Sequence, residues 1–327
     1  MTAEQTDTQI ANALNAVAAR ENVTDIFFVA CGGSYAQMLP NQYIVECEAK
    51  AIIGNALNAA EFKARAPKRL GKSSIVITLS HSGTTPETVE AVKIARAAGA
   101  LTISLTHDLG SPLDQASEFT VSYFFSPMTM SPIHAAAVLA RLTFGILKAR
   151  EGNTKVDDLD KGLAALPALV DKLISQHLGK IAEFAEAHKR EAIIYTMASG
   201  PNFGPAYSFA ICLLQEMQWV HSAAIHAGEY FHGPFEITDF DVPFIQLLGV
   251  GPSRPMDERA LAFVQKYSKR VTVLDAKDLG VTSLPGTVSE YLAPLVFSPV
   301  LRVYADKLSE AKGHPLTVRR FMWKMEY

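Results

Sequence analysis

The 327-residue chain carries 30 Lys and Arg against 33 Asp and Glu, a formal charge of −3, and is 49% hydrophobic and 19% charged. That composition excludes a disordered chain, gives no reason to expect a nucleic-acid or membrane partner, and at this length accommodates two domains. Cys31, Cys47 and Cys212 show no metal-type spacing and the polar first residues form no apolar signal core, so a reducing, cytoplasmic setting is expected.

A short helix is expected over 8–20, then a buried strand over 25–30 ending in the glycine turn Cys31-Gly32-Gly33-Ser34-Tyr35. A helix to about Ala49, a short strand near 51–53 and a helix starting near Asn58 follow. The apolar run 75–79 predicts another buried strand. It leads into Ser80-His81-Ser82-Gly83-Thr84-Thr85-Pro86, after which Val89, Val92 and Ile94 fit one side of a helix. Strands over 102–106 and 119–123 bring the count to about five. After Ser131-Pro132 an apolar helix runs to about Lys148, Glu151-Gly152-Asn153 breaks it, and a charged helical stretch continues to about His188.

The pattern then recurs at offsets of about 167 to 169 residues: 192–197 matches the first strand, 244–249 the strand at 75, 271–274 the strand at 102, and Ser298-Pro299 matches Ser131-Pro132. An α/β fold is therefore expected, made of two duplicated, doubly wound, flavodoxin-like parallel-sheet domains with flanking helices. The expected division is an N-terminal helix (1–20), a first domain (21–152), a helical linker (153–188), a second domain (189–312) and a C-terminal tail (313–327) that closes the site. The uncharged run 192–215 is broken by Gly200-Pro201 and Gly204-Pro205, which argues against a membrane span.

Ser80–Thr85 lies between a strand's carboxyl end and a helix start, where free N–H groups and the helix dipole favour an anion. Four small hydroxyls and one glycine allow close approach, and Pro86 in the first helical turn costs no hydrogen bond. Without a loop lysine or P-loop spacing, a phosphomonoester suits this cradle better than a nucleoside triphosphate with Mg²⁺. The same loop also reads as an ordinary turn with capping residues. The equivalent second-half loop, Gly249-Val250-Gly251-Pro252-Ser253-Arg254-Pro255, lacks the hydroxyls, so one half is expected to hold phosphate and the other to supply chemistry. Glu216, among Leu, Met and Trp in an apolar helix, is expected to have a raised pKa suited to moving a proton at carbon. Gly228-Glu229-Tyr230-Phe231-His232-Gly233-Pro234 fixes its backbone while Glu229 and His232 offer an acid and a base. The spacing of His226, Glu229 and His232 fits no common zinc pattern, so no metal is expected.

Cys-Gly-Gly-Ser at 31–34, Ser-His-Ser-Gly-Thr-Thr at 80–85 and Gly-Glu-Tyr-Phe-His-Gly-Pro at 228–234 resemble the sugar isomerase (SIS) family, in the tandem arrangement of the isomerase half of glucosamine-6-phosphate synthase. The resemblance runs from about residue 20 to Tyr327. It implies that Ser80, Ser82 and Thr85, with Gly33, Ser34, His81 and Glu229 nearby, hold a sugar phosphate. It also implies that Glu216 moves a proton between C1 and C2, and that His232, sixteen residues later, opens the ring or acts as acid. A homodimer with shared sites and no cofactor is implied as well. The synthase's glutaminase domain is not expected here, and its tail lysine has no match, since Lys324 lies nearer the end. The ending Arg319-Arg320-Phe321, with Glu216 and Trp219, resembles the fructosamine-6-phosphate deglycases. The expected activity is therefore cleavage of a 6-phosphorylated Amadori compound to hexose 6-phosphate and an amine. A phosphosugar isomerase, an aminosugar-phosphate deaminase or a noncatalytic phosphosugar sensor are the alternatives.

Overall fold

A computed structural model describes residues 2–326. The chain forms two compact units: one runs to Ser126 and includes Ser131–Ala164, the other comprises Pro127–Met130 and everything from Ala165 onward.

The first unit is built from α1 (Ala3–Ala19), β1 (Asp25–Ala30), α2 (Gly32–Glu48), β2 (Ile53–Asn58), α3 (Ala59–Arg65), β3 (Ser74–Leu79), α4 (Pro86–Ala97), β4 (Leu101–Thr106), α5 (Pro112–Ala116), β5 (Phe119–Ser122) and α6 (Ala135–Glu151). Its parallel sheet has the order β2-β1-β3-β4-β5, a doubly wound topology. β1, β3 and β4 are buried at every position, as strands covered on both faces must be. One face packs Phe27, Val29 and Val76 against Phe62, Ala91 and Ala95 of the covering helices.

Local chemistry moves two boundaries from their expected places. Thr2 and Gln5 form a reciprocal capping box, so α1 starts at Ala3 rather than residue 8. β2 starts at Ile53 because the Glu151 carboxylate accepts the N–H groups of Lys50, Ala51 and Ile52 at 2.6–2.9 Å, which withholds those residues from the sheet. The stretch expected as a linker is a single helix, α7 (Val156–His188), with Pro167 inside it.

The second unit carries β6 (Tyr195–Ala198), α8 (Phe203–Ser208), a π-helical stretch (Phe209–Met217), β7 (Ala224–His226), β8 (Phe244–Leu248), α9 (Arg254–Tyr267), β9 (Val271–Asp275) and α10 (Ser289–Lys312). Its parallel sheet, β7-β6-β8-β9, repeats the first four positions of the first sheet. Three of the four repeat landmarks therefore fall on equivalent strands. The fourth does not: Ser131 precedes α6, whereas Ser298 and Pro299 lie in the middle of α10. No helix among the described residues is long and apolar enough to cross a membrane.

The second sheet's counterpart of the Ser80 loop is filled by the protein itself. Asp257, fully buried on α9, accepts the Gly249 N–H through Oδ2 at 3.1 Å. Arg254 donates to the Gly249 carbonyl at 2.7 Å and to both carboxylate oxygens of Asp275. A resident carboxylate occupies the place where an external anion would otherwise sit. Burial pushes Asp257 up to about 6. Its protonated form thus favours the fold, so this contribution to stability is full below the ordinary carboxylate range and is lost as pH rises through about 6. Asp257→Asn is expected to flatten that part of the pH dependence, read as the difference in urea midpoint between pH 5 and pH 7.5 for both proteins.

Candidate active site

In the first unit Ala30 and Leu79 are directly paired across β1 and β3. The turns that follow them emerge side by side at the sheet's carboxyl edge, where the strand order reverses. The first turn puts Gly33 and Ser34 in the opening turn of α2, whose N-cap Cys31 makes no side-chain capping bond. The second is Ser80–Thr85, with Thr85 as N-cap of α4 and Pro86 as its first helical residue.

The loop is organised by its own hydroxyls. Ser80 Oγ and Thr85 Oγ1 are 2.9 Å apart, and Ser82 Oγ and Thr84 Oγ1 are 2.7 Å apart. Gly83 donates to the Ser80 carbonyl and accepts from the Leu113 N–H. The backbone N–H groups of His81, Ser82 and Thr85 find no protein acceptor among the described residues. Such donors at a helix start suit a phosphate dianion. Gly83 holds φ at +64°, and a Cβ there would overlap the Ser111 hydroxyl and come 2.9 Å from Thr106 Oγ1. Gly83→Ala is expected to cost at least about 1–2 kcal/mol of unfolding free energy from the left-handed conformation alone, measured by urea titration, together with a loss of phosphosugar affinity.

His81 keeps a solvent-exposed edge while its ring stacks on His107 at 5.0 Å and lies 4.5 Å from Phe125. Burial, then the neighbouring His107, pushes its pKa down, so the ring is neutral at pH 7. Its Nδ1 is 3.1 Å from the hydroxyl of Tyr123, a phenol that burial keeps protonated. With that hydroxyl donating to Nδ1, the imidazole proton sits on Nε2, free for an anion. His134, given no role by its sequence context, caps α6 by accepting the Ala136 N–H. Burial lowers its pKa to about 4, which keeps the accepting nitrogen unprotonated.

In the second unit Glu216 lies in the last turn of the π-helical stretch, within the apolar helix expected there. The backbone turns sharply just after it, with Trp219 at φ +55°. Hydrophobic company is not what surrounds the carboxylate. Arg319 from the C-terminal tail donates to Oε1 through Nε at 2.9 Å, and its terminal nitrogen forms an ion pair with the same oxygen at 2.7 Å. Oε2 has no protein partner among the described residues. The tail is tied down beside it: Gln218 donates to the His314 carbonyl at 2.8 Å, the Trp219 and His314 rings lie 4.4 Å apart, and the Arg320 guanidinium sits 4.1 Å over Trp219. Together these elements line an open pocket of about 710 Å³, whose walls include Gln215, Glu216, Trp219, His221, Arg319 and Arg320.

His232 and Glu229 do not line that pocket. Both are solvent-exposed at a short 3₁₀ turn, Tyr230–His232. That turn is anchored by the buried Tyr230, whose hydroxyl bonds Thr238. Among the described residues, no three His, Cys, Asp or Glu side chains gather as metal ligands would.

Residues 21–143, the segment that carries both of these turns, match the SIS domain. The chain is also 50% identical to the fructosamine deglycase FrlB of Bacillus subtilis over 307 residues, which are 94% of each chain. The chain belongs to the SIS-domain family. The fructoselysine 6-phosphate deglycase of Escherichia coli K12 is 28% identical over 96% of this chain and 90% of its own length. A crystal structure from Bacillus subtilis, provisionally described as a phosphosugar isomerase, superposes with a TM-score of 0.95 at 47% identity over the full length of both chains.

Against this SIS-domain frame, the structure gathers Gly33, Ser34, Ser80, His81, Ser82 and Thr85 at one sheet edge. It sets Glu216 in a pocket of the second unit and leaves His232 and Glu229 on an exposed turn. The residue that sequence reasoning missed is Arg319, which stands 103 positions from its partner. Its only trace in the sequence is the basic-aromatic ending of the tail. Lys324, set aside for lack of a family match, donates to the Arg319 carbonyl at 2.5 Å.

Proposed function

We propose that this protein is a deglycase that converts the 6-phosphate of a fructosamine and water into hexose 6-phosphate and a free amine or amino acid. The observation that carries this reading is the 50% identity to a fructosamine deglycase over 94% of both chains. The unclaimed N–H groups and clustered hydroxyls of Ser80–Thr85 support it from the chemistry of the first unit.

In this reading Ser80, Ser82 and Thr85 hold the phosphate, with Gly33, Ser34 and His81 beside them and Glu229 contributing to the sugar. Glu216 takes a proton from C1 as an acid protonates the C2 carbonyl oxygen, which gives the enaminol. The proton then returns to C2 and the nitrogen lone pair forms a C1=N iminium. Water adds at C1, the C–N bond breaks, and the amine leaves with the aldehyde formed at C1. His232 serves as the acid or opens the sugar ring. The nitrogen and carbonyl of the substrate delocalise the carbanion, so the steps call on no cofactor.

The phosphate loop sets the first test. In a dehydrogenase-coupled assay, fructoselysine 6-phosphate and related fructosamine 6-phosphates are expected to yield glucose 6-phosphate, and the unphosphorylated compounds to yield none. Ammonia from glucosamine 6-phosphate, with no product from any fructosamine 6-phosphate, would assign the chain to aminosugar-phosphate deamination instead. The exposed position of His232 supports a homodimer in which this side chain serves the neighbouring subunit, and a cytoplasmic setting suits phosphorylated substrates. Sedimentation at a dimer's mass, with His232 and Glu216 variants complementing each other in mixed dimers, checks the assembly.

A further inference from the structure

The guanidinium of Arg319 is 7% exposed, and both of its contacts with Glu216 fall on one carboxylate oxygen. The same side chain donates to the carbonyls of Leu316 at 2.6 Å and Val318 at 3.0 Å, and its own carbonyl is held by Lys324. Its outer face lies 5.4 Å from the Trp323 ring. A loose surface pair has none of this bracing. The arginine is fixed first by its own tail and then presents a rigid fork to the glutamate.

We propose that Arg319 is the positioning residue for Glu216: it engages Oε1 and turns Oε2 toward the proton to be moved, so that the C-terminal tail is part of the catalytic apparatus. The inference rests on the reading of Glu216 as the base. A base that must take a proton at C1 and give it back at C2 gains from a cation that fixes its orientation, because the same oxygen has to reach both carbons. The other titratable groups around it do not substitute for that cation. Cys212, one turn earlier, stays protonated, burial having pushed its thiol up to about 12. His221 and Arg320 line the same pocket without a hydrogen bond to Glu216, and Arg320 is stacked over Trp219.

The test is kcat and KM, measured separately on a fructosamine 6-phosphate, for the full-length protein, Arg319→Ala, Arg319→Lys and Glu216→Gln, each checked for folding by thermal melting. Without its brace the carboxylate can rotate away from the reacting carbons, so Arg319→Ala should lower kcat by about 10- to 100-fold. KM should stay within about twofold. Arg319→Lys should return little of the rate, since it restores charge without the fork. A folded Arg319→Ala protein with kcat within twofold of wild type, or with its loss confined to KM, would overturn the proposal. If Glu216→Gln kept full activity, it would be the assignment of the base that failed.

Discussion

Glu216→Gln should lower kcat on fructosamine 6-phosphates by on the order of 10³-fold, the scale of a positioned general acid–base group. KM should change little. The amide is nearly isosteric, and its oxygen can still accept from the Arg319 guanidinium, which holds Oε1 at 2.7–2.9 Å. What it loses is the basic lone pair on the second oxygen, the atom that has no protein partner among the described residues. Removing a group that acts only as the reaction proceeds lowers kcat and kcat/KM together. Steady-state kinetics with glucose 6-phosphate detection, alongside calorimetric binding of a non-cleaved hexose phosphate, separates the two quantities. Full turnover in the variant would place the base elsewhere.

The second large effect is expected at the Ser80–Thr85 loop, proposed to hold the phosphate. The double variant Ser82→Ala, Thr85→Ala should reduce kcat/KM by roughly 10²- to 10⁴-fold, mostly through KM, because each hydroxyl lost from a charged ligand is worth about 1.5–3 kcal/mol. Folding should survive. Neither residue belongs to the buried core, and the loop's backbone bonds from Gly83 to Ser80 and from Leu113 to Gly83 do not use the deleted hydroxyls. Competition by inorganic phosphate offers an independent reading: the wild-type inhibition constant should be much lower than that of the variant. A double variant within twofold of wild type on both measures would remove the loop from phosphate binding.

The parts legible from sequence were those whose physics is local. β1 and β3 are largely apolar and, like β4, buried at every position because helices cover both faces of the sheet, and the glycine and proline signals after β1 and β3 mark the turns at its carboxyl edge. β7 spans only three residues, too short for any periodicity to register. The apolar pattern around Glu216 announced a helix but could not tell a π from an α arrangement, since apolar residues at every position from Phe209 to Leu214 hide the period. Ser298-Pro299 shows the opposite failure, in which a matching dipeptide at the right offset lies inside a long helix and marks no repeat boundary. Long-range partnerships left the least trace. Glu216 with Arg319, Gly249 with Asp257 and the residue 50–52 N–H groups with Glu151 are set by how elements pack, and composition encodes no such pairing. The expectation of a hydrophobic setting for Glu216 failed for this reason: its sequence neighbours are apolar, but its spatial neighbour is a cation.

The central claim, that a phosphorylated Amadori compound is split at its C1–N bond, is tested most directly by product stoichiometry. After complete turnover of fructoselysine 6-phosphate, free lysine and glucose 6-phosphate should appear in a 1:1 ratio and equal the substrate consumed. Substrate recovered intact across a panel of fructosamine 6-phosphates, or a sugar phosphate formed with the amine still attached, would contradict it.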